Sequence, residues 1–344
     1  MSLCPSSWRK AIDRVGRLSC RCDSEEDRRI PSRHEEHQVP LGIFSIVNHQ
    51  NWISEMKISA FTFLRNPVRL GYPFIESIRS ALPLVDEYVI ALGESTDGTR
   101  EAIEAIGDKR IRIIDTQWNG STGRGFVYGQ QKMIGLFNTT GAWSLYLEGD
   151  EVLHERDIEG IRELAERADR NPRVEAIAFR YHHFYGTPDQ VATGPAWYRV
   201  EPRMVRNHDI RVIAPGGLYF VVMDKNKKGR YPRAVETDAT VHHYGWVRPV
   251  ESHDEKARQV SPYWGKHVSK GAIYENVDPT ILKPFEGTHP EVMKGWLETS
   301  ANHEFTVNPE HRLTTRERRQ RVKRLIEGFT GLDLCKRHHR KVRL

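Results

Sequence analysis

The stretch Met56-Lys57-Ile58-Ser59-Ala60-Phe61-Thr62-Phe63-Leu64-Arg65-Asn66 decides how the rest of the chain is read. It is mostly apolar, short enough for a strand, and closed by two polar residues, the pattern of a strand buried on both faces. Working outward, strand and helix alternate. Gly71-Tyr72-Pro73 opens a helix whose Phe74, Ile78 and Leu82 recur at helical spacing. A strand over 87–92 follows, then a helix beginning near Thr96-Asp97-Gly98-Thr99, a strand over 111–114, a helix over about 126–138 and a strand over 143–147. Such alternation with short connections predicts an α/β fold, a Rossmann-like, mainly parallel sheet flanked by helices. Ligands of open α/β sheets bind outside the carboxyl ends of the strands. The polar motifs fall there: Arg65-Asn66 after the first strand, Gly93-Glu94-Ser95-Thr96-Asp97 after the second, and Glu148-Gly149-Asp150-Glu151 after the fourth.

The flanks read differently. Residues 1–55 lack apolar periodicity and hold equal numbers of acids and bases, which predicts a poorly ordered extension, with Met56 as the expected native start. Residues 156–311 are less regular: a helix over about 156–169, strands over 174–181, 219–222 and 240–244, and long loops suited to shaping an acceptor cleft. Residues 312–344 carry twelve Lys/Arg against three acids, so the overall charge of +6 is a C-terminal feature, and a basic helix is expected over about 314–328. Such a segment suits contact with anionic lipid; nucleic acid is disfavoured because the segment lacks a stacking platform. Cys4, Cys20, Cys22 and Cys335 sit near the termini and are read as incidental in a reducing compartment. No run of about 18 apolar residues is present and the N-terminal stretch lacks an apolar h-region, so a cytoplasmic protein is expected, peripheral to the membrane at most.

The acidic turn carries the chemistry. A buried strand ending in Glu148, Asp150 and Glu151 needs its charges compensated. A hard divalent ion, Mn²⁺ or Mg²⁺, takes carboxylate oxygens together with substrate phosphates. Gly149 is expected to let a diphosphate approach the backbone. Downstream, His242-His243-Tyr244-Gly245-Trp246 brings two histidines to the end of a strand. One neutral imidazole beside carboxylate oxygens suits Mn²⁺.

The order of these pieces resembles glycosyltransferase family 2, with its GT-A fold and DXD-like motif. The likeness covers about 56–155 well and the second half loosely. It implies a metal-dependent transfer of sugar from a nucleotide-sugar donor to a hydroxyl acceptor, a saccharide or a lipid-linked group, of inverting outcome and suited to cell-envelope or surface polysaccharide synthesis. It implies Thr62, Arg65, Asn66, Glu94, Asp97, Lys132 and Glu148 as the donor side, 56–155 as the nucleotide-sugar half and 156–311 as the acceptor half. Asp150 and His243 become the metal ligands. The chain departs from the family at Leu92-Gly93, where an acid is usual and Glu94 is the substitute, and at Glu148, which stands for the first Asp of DXD. For the base that deprotonates the acceptor, Glu236 and Asp189 are the candidates. Arg199, Arg203 and Arg206 suggest an anion-contacting loop, and the aromatics around Tyr181–Tyr185 and Trp197-Tyr198 suit either sugar stacking or core packing. The alternative is a non-catalytic carbohydrate-binding or scaffold protein derived from such an enzyme. A Rossmann dehydrogenase is excluded by the lack of Gly-x-Gly-x-x-Gly after the first strand.

Overall fold

The computed structural model describes residues 56–121, 123–208, 211–264, 274–299 and 304–344. The expectations for residues 1–55, including Cys4, Cys20 and Cys22, lie outside the described residues.

The first strand, β1 (Ile58–Leu64), is buried almost throughout and is followed by α1 (Phe74–Ala81), β2 (Glu87–Gly93), α2 (Thr99–Glu104), β3 (Ile111–Thr116), α3 (Phe126–Phe137) and β4 (Trp143–Tyr146). β1 pairs in parallel with β2 and with β4, and β2 in parallel with β3, so the strands lie in the order β3-β2-β1-β4. The chain moves to one side of β1 for β2 and β3 and returns to its other side for β4. That reversal opens a crevice between the β1 and β4 ends, where ligands of such sheets bind. The core beneath it holds Ile58, Ala60, Leu64, Ile78, Tyr88, Ile90, Trp143 and Leu145 in one cluster.

The second half is built mostly from antiparallel pairs. After β5 (Glu151–Leu153) and α4 (Ile158–Asp169) come β6 (Ala176–Tyr185), β7 (Thr187–Ala192) and β8 (Val200–Arg206). β8 runs antiparallel between β4 and β6 and extends the sheet. A small separate ribbon, β9 (Val212–Ile213), β10 (Val221–Met223) and β11 (Gly229–Arg230), leads to β12 (Arg233–Trp246). β12 pairs in parallel with β6 and antiparallel with β5, placing Glu151, His243 and His183 side by side on three strands. The chain continues through α5 (Val250–Trp264), β13 (Leu282–Pro284), α6 (Lys294–Thr299), α7 (Thr315–Thr330) and β14 (Arg340–Lys341), the last pairing with β12.

The architecture is the expected mainly parallel central sheet with flanking helices, joined to an irregular second half. Two local readings need correction, and a third that was left open is decided. Arg199, Arg203 and Arg206 do not crowd an anion-binding loop. Arg203 and Arg206 lie on β8 and Arg199 immediately before it, each held by protein acceptors: Arg199 by Glu327 and Asp333, Arg203 by Glu151, and Arg206 by Asp169 and the carbonyls closing α4. Gly149 faces Leu64 and Phe74 rather than open space, and a Cβ there would stand 2.9 Å from the Leu64 side chain. Tyr181, Phe184 and Tyr185 are buried packing residues.

Candidate active site

The acidic turn is fastened from both sides. Ser77 Oγ on α1 donates to the Glu148 carbonyl (3.1 Å), and Leu153 N donates to Ser80 Oγ (3.1 Å). Glu151 is fully buried and lies against the fully buried Arg203: Nε to Oε2 at 2.9 Å, Nη2 to Oε1 at 2.6 Å. Tyr181 OH and the Glu148 amide complete its shell at 2.9 and 3.1 Å. A bidentate, charge-assisted pair of this kind fixes its partners in direction as well as place. Burial raises the Glu151 pKa, but the Arg203 guanidinium outweighs it and the carboxyl is held below its usual range. Glu151 is therefore the internal counter-charge of Arg203, and its hydrogen bond from the Glu148 amide sets the turn.

Glu148 and Asp150 are left without an equal partner. Burial, then the neighbouring Glu151 carboxylate, push Glu148 up to about 8 against the pull of Arg203, although a third of its side-chain area still meets solvent. Arg203 reaches it only at 3.5 Å. Asp150 is nearly buried, its Oδ1 lies 3.7 Å from His243 Nε2, and its carbonyl accepts from Tyr244 N at 2.8 Å.

The protons of the histidines follow from their partners. His183 is buried and held neutral, with its pKa pushed down to about 3 by burial and then by His243. Its Nε2 lies 2.8 Å from the Tyr198 carbonyl oxygen, which can only accept, so that nitrogen carries the proton. His183 Nδ1 is then an acceptor and receives Nδ1–H of His243 at 2.9 Å. His243, also lowered by burial, is left with a bare Nε2 facing Asp150. Two lone-pair donors facing across 3.7 Å suit a hard divalent ion with bonds of about 2.1 Å. Gly245 leaves the gap open, since a Cβ there would come 2.5 Å from His243 Nε2 and 2.7 Å from Asp150 Oδ2. The residues fit a metal.

The β1 and β2 loops meet alongside. Asn66, in the left-handed region (φ 50°), donates its amide to Ser95 Oγ and accepts from Thr96 N, both near 3 Å. Asp97 accepts from the Arg69 amide at 2.9 Å and from Thr99 Oγ1, tying the second loop to the first. Arg65 stands over Trp118, donates to the Glu94 carbonyl and meets Tyr263 OH. Arg65 and Tyr263, with Asn66, Arg69, Glu255 and Arg258, line a cleft of about 380 Å³ under α5. Thr62 Oγ1 is buried nearby on β1 without a hydrogen-bond partner.

Three of the sequence-predicted residues stand elsewhere. Lys132 is fully buried beneath the turn, donates to the Gly217 carbonyl at 2.8 Å and lies over the Tyr146 and Phe220 rings, so it supports the floor and does not reach a ligand. Burial, then Arg203, push its pKa well down. Glu236 is held by Arg337, His339 and Lys341 at the other end of β12. Six residues of strand lie between it and His243, a span on the order of 20 Å. Asp189 is exposed on β7, where its charge acts on His289. Glu94 is exposed at the rim and contributes its carbonyl to Arg65. Sequence reasoning missed His183 as the partner of His243; the parallel register of β6 on β12 creates that contact.

Residues 72–222 match the family described as Glycosyl transferase family 2. That segment, somewhat under half of the chain, is what resembles the family. The matched segment runs from the start of α1 to β10 and contains the whole acidic turn and Arg203. No curated protein matches the chain. Among solved structures it is similar to S. aureus TarS 1-349 in complex with UDP, at 17% identity over 64% of this chain and 69% of that one, TM-score 0.36. It is also similar to glucosyl-3-phosphoglycerate synthase from Mycobacterium tuberculosis with Mn²⁺, UDP and glucosyl-3-phosphoglycerate, at 15% identity over 63% and 82%, TM-score 0.34. Against a longer S. aureus TarS chain, at 14% identity and TM-score 0.34, 64% of this chain is aligned and it spans 42% of that chain's length.

Proposed function

We propose that this protein moves a sugar from a nucleotide-sugar donor to a hydroxyl acceptor, with Mn²⁺ or Mg²⁺ held by Asp150 and His243. The observation that carries the metal assignment is the bare Nε2 of His243 set against Asp150 Oδ1 by the His183 hydrogen bond. A divalent ion there supplies positive charge to the departing diphosphate.

The chain's own residues do the rest. The cleft takes the nucleoside diphosphate, with the Arg65 and Arg69 guanidiniums attracting the phosphates, Arg258 held by Glu255 at 2.6 Å, and Tyr263 closing one wall. Asp97 keeps the Arg69 amide and the second loop in register. Glu148, a third exposed and reached by Arg203 only at 3.5 Å, is the carboxylate of the turn that can accept from a donor hydroxyl. For an inverting transfer the acceptor hydroxyl needs a carboxylate base. Glu236 is engaged by Arg337, Lys341 and His339 at the far end of β12, and Asp189 lies exposed on β7 away from the turn, so this reading assigns the base to neither.

The test is a panel of nucleotide sugars offered with Mn²⁺ and with Mg²⁺, following donor binding and hydrolysis. One or more donors are expected to bind and turn over, and Asp150→Asn to lose both metal dependence and turnover. Failure of every donor to bind would leave the non-catalytic reading standing. An Asp150→Asn variant indistinguishable from the parent would remove the metal assignment.

A further inference from the structure

An amphipathic helix of a globular domain ordinarily turns its apolar stripe to the core. Helix α7 does the reverse. Its inward face is Glu317, Gln320, Arg321, Arg324 and Glu327, all half-buried and spaced at three and four residues. That face is bonded to the body: Arg321 to Asp278 at 2.7 and 2.8 Å, Arg324 to Thr280, and Glu327 to Arg199. The outward face carries Val322, Leu325, Ile326 and Phe329, which are 56, 63, 43 and 91% exposed. Arg318, Arg319 and Lys323 flank this ridge, exposed and without an ion-pair partner among the described residues. The helix does not need a partner to form. Thr314 and Glu317 close a reciprocal capping box at its start and Gly331, left-handed at φ 68°, ends it.

We propose that this ridge docks the protein on an anionic lipid surface. Its chemistry selects that occupant. Both acids of α7 point inward, so the outward face is purely apolar and cationic. A second copy of the same face would set Arg318, Arg319 and Lys323 against their own like charges around the apolar contact, with no acid to offset them. The ridge protrudes with bulky side chains instead of forming a groove, which matches helices lying in the membrane interface with cations at the headgroups. The ion pairs on the inward face fix the helix to the body, so the whole domain is held at the surface. The inference does not depend on the sugar-transfer reading.

The experiment is flotation of the full chain with vesicles of phosphatidylcholine alone, or mixed with phosphatidylglycerol, in low and high salt. Binding is expected only to the anionic vesicles and to weaken with salt. Arg318→Gln with Arg319→Gln and Lys323→Gln should lose on the order of a hundredfold in affinity at low salt, from about fivefold per cation. Leu325→Ser with Phe329→Ser should lose more than tenfold. Because every substituted side chain is exposed, unfolding midpoints should not move. Phe329→Trp supplies a direct reading, a blue-shifted emission on anionic vesicles. Equal binding to neutral and anionic vesicles, no binding at all, or variants that float like the parent would each overturn the proposal. So would a concentration-dependent oligomer abolished by Phe329→Ser without vesicle binding.

Discussion

Replacing Gly245 by alanine tests the geometry of the Asp150–His243 gap with a single methyl group. The backbone there is not left-handed, so the substitution carries no conformational penalty of the kind a positive-φ glycine does. The new Cβ would lie 2.5 Å from His243 Nε2 and 2.7 Å from Asp150 Oδ2. Ordinary non-bonded contact is about 3.5 Å, so one or both side chains must move by about 1 Å. His243 cannot swing away freely, because its Nδ1 is committed to His183 at 2.9 Å. A ligand set tolerates roughly 0.5 Å of displacement, and disturbing the support of a metal ligand typically costs 10–100-fold in affinity, about 1.4–2.7 kcal/mol. The expectation is a Mn²⁺ affinity lowered by that factor in a folded protein whose melting midpoint falls by only a few degrees, from about 1–3 kcal/mol of overpacking, measured by calorimetric titration beside thermal unfolding. Mn²⁺ binding within twofold of the parent, in a folded variant, would refute both the pairing of these ligands and the reason for the glycine.

Two further outcomes follow from the buried charges and the thiol. Glu151→Ala leaves the Arg203 guanidinium buried without its bidentate partner and should cost about 3–5 kcal/mol, lowering the melting midpoint by about 5–10 °C; the double variant Glu151→Leu with Arg203→Met should recover most of it, and thermal unfolding of the three proteins decides. Cys335 is nearly buried, its thiol pushed up to about 12 chiefly by burial, so peptide mapping after alkylation near pH 8 should find it unmodified in the native protein and labelled once denatured.

The first half of the fold was legible because each element there obeys a local period. The strand at Ile58–Leu64 and the helix carrying Phe74 and Ile78 announce themselves without reference to anything distant. The second half is made of pairings between remote segments. Arg203 looks like a solvated arginine in the sequence because Glu151, which makes it a buried strand residue, lies 52 positions earlier. Only the end of β12 was read as a strand, since Glu236-Thr237-Asp238 interrupts its apolar alternation at a register shift against β6. The proposed metal ligands were picked out by their order along the chain. Their tautomer was not, because it depends on His183 and the Tyr198 carbonyl meeting through the sheet. The outward ridge of α7 was hidden for a related reason: its basic residues were countable, but which of them face the body is decided by Asp278 and Thr280.

The charge balance of the turn yields the last prediction. Arg203 answers Glu151, and Lys132, pushed well down by burial and then by Arg203, does not answer a second acid. The uncompensated charge falls on Glu148 and Asp150, and Glu148 responds by holding its proton up to about pH 8. A cation arriving between the turn and His243 favours the carboxylate form of Glu148, so binding must release a proton wherever that proton is still held. The sign is therefore fixed: Mn²⁺ affinity rises with pH up to about 8, as Glu148 loses its proton, and then levels. Titrations across that range should show the rise, with proton release visible as a buffer-dependent heat. Glu148→Gln has no proton to lose at this site and should flatten that part of the profile while leaving the Asp150–His243 pair in place. A profile for Glu148→Gln as steep as the parent's would mean that Glu148 does not face the bound ion, and that Arg203, at 3.5 Å, is its working partner instead.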